Sequence, residues 1–137
     1  MEARSDGGSK KNKTLAVPRP VPRRRVPSDW VQSTTSDTFA KLVLEGEGPI
    51  AVEFMSYGCA HCQLIEPVLQ QVAAMVKSNE KIFRVNIAVE PELAERYEIQ
   101  GTPTLIMFLD GTEVGRVEGP SPVVSTLLTA IEQPYES

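Results

Sequence analysis

The chain has 137 residues, 41% of them hydrophobic and only two of them cysteine, with a formal net charge of −4. That is enough apolar material for one domain with its own core and too little chain for two. Two cysteines exclude a disulfide-stapled scaffold, aromatics at 6% argue against an aromatic-lined nucleic-acid surface, and no apolar run reaches the roughly 18 residues of a membrane-crossing helix.

Charge is divided unevenly. Residues 1–27 carry eight basic and two acidic side chains, whereas residues 28–137 carry six basic and sixteen acidic ones. The acidic balance of the body speaks against nucleic acid or an anionic membrane as its ligand. The segment Val17-Pro18-Arg19-Pro20-Val21-Pro22-Arg23-Arg24-Arg25-Val26-Pro27 has little to bury, so residues 1–27 are expected to be a disordered, extended tail. Its roles could be those of a solvated extension, a transit segment, a docking arm for an acidic partner or a tether. It has no apolar segment of the secretory type, which leads us to expect a cytoplasmic protein, with an organelle or the periplasm as alternatives.

The domain is expected to span residues 28–137. Thr35-Ser36-Asp37 supplies side chains for a helix N-terminus, and Phe39, Leu42 and Val43 then share one helical face until Gly46-Glu47-Gly48-Pro49 ends the run. Ile50–Met55 reads as a buried strand interrupted by Glu53. A long helix follows over 60–77, with Leu64, Ile65, Val68, Leu69, Val72, Met75 and Val76 at helical spacing and Pro67 inside it. Residues 81–88 alternate as a strand, and 91–97 form a short helix with proline in its first turn. Thr104–Leu109 is a strand, Asp110-Gly111 turns it into a partner over 113–118, and Ser121 is placed to cap a last helix over 123–131. This order implies an α/β fold: a central mixed sheet of about five strands flanked by about four helices.

Both cysteines lie in Cys59-Ala60-His61-Cys62, between a strand and a helix. Positions i and i+3 share a helix face, with Cα atoms about 5 Å apart, within reach of a disulfide. A thiol at the helix N-terminus meets unpaired N–H groups and the positive end of the helix dipole, and both favour the thiolate. Cys59 is therefore expected to be the nucleophile and Cys62, one turn further in, the resolving thiol of a Cys59–Cys62 dithiol/disulfide pair. His61 between them could tune the pair by adding positive charge or a hydrogen bond near the Cys59 sulfur. A zinc site is not expected, because structural zinc needs four ligands and the chain offers two cysteines and one histidine.

From Ser28 to about Gln133 the sequence resembles a thioredoxin. The resemblance rests on separated motifs in one order: the strand, Cys59-x-x-Cys62, the helix with Pro67, then Gly101-Thr102-Pro103-Thr104, Gly111 and Gly119. It implies a thioredoxin fold with a cis peptide before Pro103, and a substrate surface of Gly58, Ala60, Gly101, Thr102, Pro103 and Gly119, in which the Thr102 backbone pairs with an extended segment. It also implies that Glu53 is the buried acid that relays a proton for Cys62, with Arg84 as its partner where the family often has lysine.

The chain departs from the family where tryptophan usually precedes the first cysteine and Gly-Pro separates the two, for it has Gly58 and Ala60-His61 there, and Met55 where another tryptophan is common. The expected function is thus protein thiol–disulfide exchange on protein disulfide substrates by a monomer that needs no cofactor or metal, with a separate thiol reductase and neither nucleic acid nor membrane as partner. The alternatives are a partner-binding or assembly module on the same fold and a redox sensor with little turnover.

Overall fold

The runs Pro49–Met55 and Thr104–Leu109 are apolar almost throughout, the pattern of strands in a sheet covered on both faces. The computed structural model describes residues 30–136; the tail read over 1–27 lies outside them. The elements in chain order are β1 (Val31–Ser33), α1 (Ser36–Phe39, continued by a π-helical turn over Ala40–Leu44), β2 (Pro49–Met55), α2 (Ala60–Met75), β3 (Lys81–Asn86), α3 (Pro91–Arg96), β4 (Thr104–Leu109), β5 (Thr112–Glu118) and α4 (Val124–Glu132), closed by a 3₁₀ turn over Gln133–Glu136. The strands are ordered β1-β3-β2-β4-β5. β3 runs parallel to both β1 and β2, and β4 is antiparallel to β2 and β5, so the sheet is mixed, as expected.

Period-two alternation splits the core between the two faces. Ala51, Ile82, Leu105 and Met107 pack with Ile65, Leu69 and Val72 of α2 and with Leu127 and Ile131 of α4. Ile50, Val52, Phe54, Phe83, Ile106 and Phe108 pack instead with Phe39 and Val43 around α1 and with Leu93 of α3. Few as they are, the aromatics are concentrated here: Phe39, Phe54, Tyr97 and Phe108 have ring centroids 5.5–6.0 Å apart, which pins the α3 end of the domain to the sheet.

Several sequence expectations are corrected in detail. Leu42 is more exposed than Phe39 and Val43 because the helix widens to π geometry after Phe39, with Glu45 N–H donating to Ala40 O at 2.8 Å. Leu64 and Met75 of α2 point to solvent: Leu64 follows buried Cys62 by two residues, about 200° around the helix. α2 runs through Pro67 and stops at Met75. Ser121 does not cap α4; Val123 holds that position and offers no side-chain bond.

Candidate active site

The residues singled out in the sequence come from four chain segments that meet beside the N-terminus of α2. β2 leads into it through Ser56-Tyr57-Gly58, and Cys59 is its N-cap residue, with extended backbone (φ −88°, ψ 119°). The Cys62 N–H donates to Cys59 Sγ at 3.1 Å, so a sulfur performs the capping usually done by oxygen. The Cys59 S–H donates to Thr102 O at 3.4 Å.

Both thiols are free, Cys59 half-buried and Cys62 buried, so this is the dithiol form. Their acidities diverge. Burial pushes the Cys59 thiol up, but hydrogen bonds from Cys62 and the backbone N–H of His61 outweigh it and leave Cys59 below the ordinary cysteine value. Burial, joined by the hydrogen bond and charge of Cys59, raises Cys62 to about 11.

The Thr102–Pro103 peptide is cis, in the loop before β4. Thr104 Oγ1 donates to Gly101 O at 2.7 Å, and Gly119 N–H donates to Pro103 O at 2.9 Å, which joins this loop to the end of β5. Gly58, Ala60, Gly101 and Gly119 are exposed around the thiols, and Thr102 is half-buried. A side chain at Gly119 would stand 3.6 Å from the His61 ring. The His61 imidazole is anchored on Pro120 rather than on the Cys59 sulfur: its Nε2 lies 2.8 Å from the Pro120 carbonyl, which can only accept, so Nε2 carries the proton. Imidazole and carbonyl close a ring of contacts from α2 through the β5–α4 loop to Pro103 and back to Cys59.

On the sheet face that α2 covers, Glu53 and Arg84 are register partners on β2 and β3 and point as Ala51 and Ile82 do. Glu53 is fully buried, and neither of its oxygens has a hydrogen-bond donor. Arg84 Nε stands 3.5 Å from Glu53 Oε1, an ion-pair distance without a hydrogen bond. Burial raises Glu53 to about 7, and Arg84 limits the rise. Arg84 Nη2 donates instead to Glu66 Oε2, which also accepts from Gln70 Nε2 at 2.7 Å. Glu66 and Gln70 were not foreseen from the sequence; the usable signal was their helical spacing, four and eight residues after Cys62. A cleft of about 240 Å³, lined by Met55, Ser56, Tyr57, Cys62, Glu66 and Arg84, opens this layer to solvent.

The thioredoxin family profile matches residues 30–133. Thioredoxin 1 of Synechococcus elongatus is 34% identical over 90 residues, covering 66% of this chain and 84% of that protein. Thioredoxin 1 of Nostoc sp. is 32% identical over 99 residues, 72% of this chain and 92% of its own length. The structure of a mutant thioredoxin from Halobacterium salinarum superimposes with a TM-score of 0.68 at 24% identity, over 83% of this chain and 98% of that one, and so shares the fold.

Proposed function

The chain belongs to the thioredoxin family, and from that premise we propose how its own residues perform thiol–disulfide exchange. It is a protein thiol–disulfide oxidoreductase that acts on protein disulfides. In our reading the Cys59 thiolate attacks one sulfur of a substrate disulfide. A Cys59–substrate S–S bond forms, the substrate S–S bond breaks, and the departing thiolate takes a proton. Cys62 then gives up its proton and attacks Cys59 Sγ, which releases the second substrate sulfur and leaves the Cys59–Cys62 disulfide. The substrate gains two electrons and the dithiol loses two; run in reverse, the same steps oxidise a substrate dithiol.

The observation that carries this reading is the asymmetry of the pair: a half-buried sulfur that accepts the Cys62 N–H at 3.1 Å, beside a buried thiol of raised pKa. The low-pKa sulfur attacks first, and the buried one acts only after losing its proton. Glu53 is the base we assign to that proton, because it is a buried carboxyl without a hydrogen-bond donor on the sheet face beneath α2. The substrate lies along Thr102-Pro103, flanked by Gly58, Ala60, Gly101 and Gly119, and pairs with the backbone as an added strand. A separate reductase to restore the dithiol, a monomeric state and a cytoplasmic setting complete the proposal, as does a domain over 28–137 with the tail apart from it.

The test is turnover of a protein disulfide driven by dithiothreitol. The unsubstituted chain is expected to accelerate reduction, and Cys59→Ser to abolish the acceleration. Full acceleration by Cys59→Ser would refute a nucleophilic Cys59 and favour a binding module that does not use its thiols.

A further inference from the structure

Alternation along β2 and β3 places Glu53 and Arg84 side by side beneath α2. Helical spacing stacks Cys62, Glu66 and Gln70 in one row above them. The single guanidinium between these layers faces two carboxylates and does not serve them equally. Its Nη2 donates to Glu66 Oε2, while its Nε stops 3.5 Å short of Glu53 Oε1 and makes no hydrogen bond. Gln70 Nε2 holds the same Glu66 oxygen from the other side at 2.7 Å, so the acceptor that captures Arg84 is itself fixed.

We propose that Glu66 is a positioning residue: it draws the Arg84 guanidinium toward the mouth of the cleft and leaves the Glu53 carboxyl without a donor, so that Glu53 remains a proton acceptor for Cys62 rather than a fixed ion-pair partner. The inference rests on the relay role proposed for Glu53. An Arg84 free of Glu66 could turn its fork onto Glu53, and a charge-assisted pair of that kind would hold Glu53 ionised well into the acid range. The groups that face Glu53 are few. Arg84 on β3 favours its charged form, Glu66 on α2 opposes it, Cys62 on α2 shares their cleft, and the β4 register partner Leu105 is apolar. Glu66 therefore acts twice in the same direction, through its own negative charge and by occupying the cation.

The test is Glu66→Gln in the full chain, which keeps length and an acceptor oxygen while removing the charge. The readout is the midpoint of the Glu53 carboxyl titration, followed by carbon NMR in the reduced protein. The expected result is a downward move on the order of one pH unit, with Glu66→Asp restoring the midpoint at least in part. Gln70→Met, which releases Glu66 without touching a charge, is expected to move the midpoint the same way by less, and serves if Glu66→Gln does not fold. A midpoint that stays in place or rises in these variants would overturn the proposal. Failure of the exchange reading itself would show separately, as absent turnover in the unsubstituted chain.

Discussion

Glu53 is a side chain whose placement costs the fold stability. It is fully buried in a strand whose other inward residues are apolar, and its carboxyl moves from 4.5 to about 7 because burial penalises the charge more than Arg84 relieves it. Between pH 4.5 and 7 the folded state therefore binds more protons at this site than the unfolded chain does. Stability falls as pH rises through that window, by an amount on the order of 3 kcal/mol for a shift of this size. Glu80, also raised to about 7 by burial and by Glu132, adds a loss of the same sign. The unfolding midpoint is thus expected to be lower at pH 8 than at pH 5. Glu53→Gln should raise the pH 8 midpoint and flatten part of the slope, the remainder belonging to Glu80. A slope unchanged by Glu53→Gln in thermal melts at the two pH values would contradict this account. At this scale the chemistry-bearing residues were legible because the spacing of Cys59 and Cys62 and a lone acid in an apolar strand are local signals. Glu66 and the seat of His61 on Pro120 were not, since both depend on which surfaces meet across 18 and 59 positions of chain.

Elements were legible where one residue type determines a backbone conformation. Asp110-Gly111 adopts φ values of 50° and 84°, the left-handed pair of a type I′ hairpin that joins β4 to β5. Gly111 is required there for a second reason: a Cβ would fall 2.2 Å from the Leu44 carbonyl oxygen. Gly111→Ala is expected to cost about 2 kcal/mol or more in chemical denaturation, from backbone strain and from a clash with main chain that cannot retreat alone. A loss below about 0.5 kcal/mol would mean that the hairpin and the end of the π turn are not packed as described. Helix ends were harder to read. The N-terminus of α1 begins at Thr35, as expected, with the Thr35 N–H donating to Thr38 Oγ1 at 3.1 Å in a local capping box. Glu90 completes it, its Oε1 accepting from Ser36 N–H at 2.9 Å and from Ser36 Oγ at 2.6 Å, and this contribution from the residue before α3 has no signature in the residues around Thr35. The face of α2 was overread for the opposite reason: an apolar run such as Leu64-Ile65 matches the helical period whether or not both residues find a partner.

For the whole molecule, the order of strands and helices was legible because turn residues and period changes punctuate the chain almost everywhere. The parallel β1–β3–β2 half and the antiparallel β2–β4–β5 half bring the ends of β2 and β3, the start of α2 and the loop before β4 to one corner. This convergence turns a tetrapeptide into a site: the Thr102 carbonyl comes from the loop before β4, the Glu53 carboxyl from β2 and the two thiols from the start of α2. The most direct measurement of the central claim is trapping of the mixed disulfide. Cys62→Ser and Cys59→Ser are each incubated with a protein disulfide, and intact masses are read after alkylation. A stable covalent adduct with Cys62→Ser and none with Cys59→Ser is the expected result. Adducts of equal yield in both variants, or in neither, would contradict a nucleophilic Cys59 backed by a resolving Cys62.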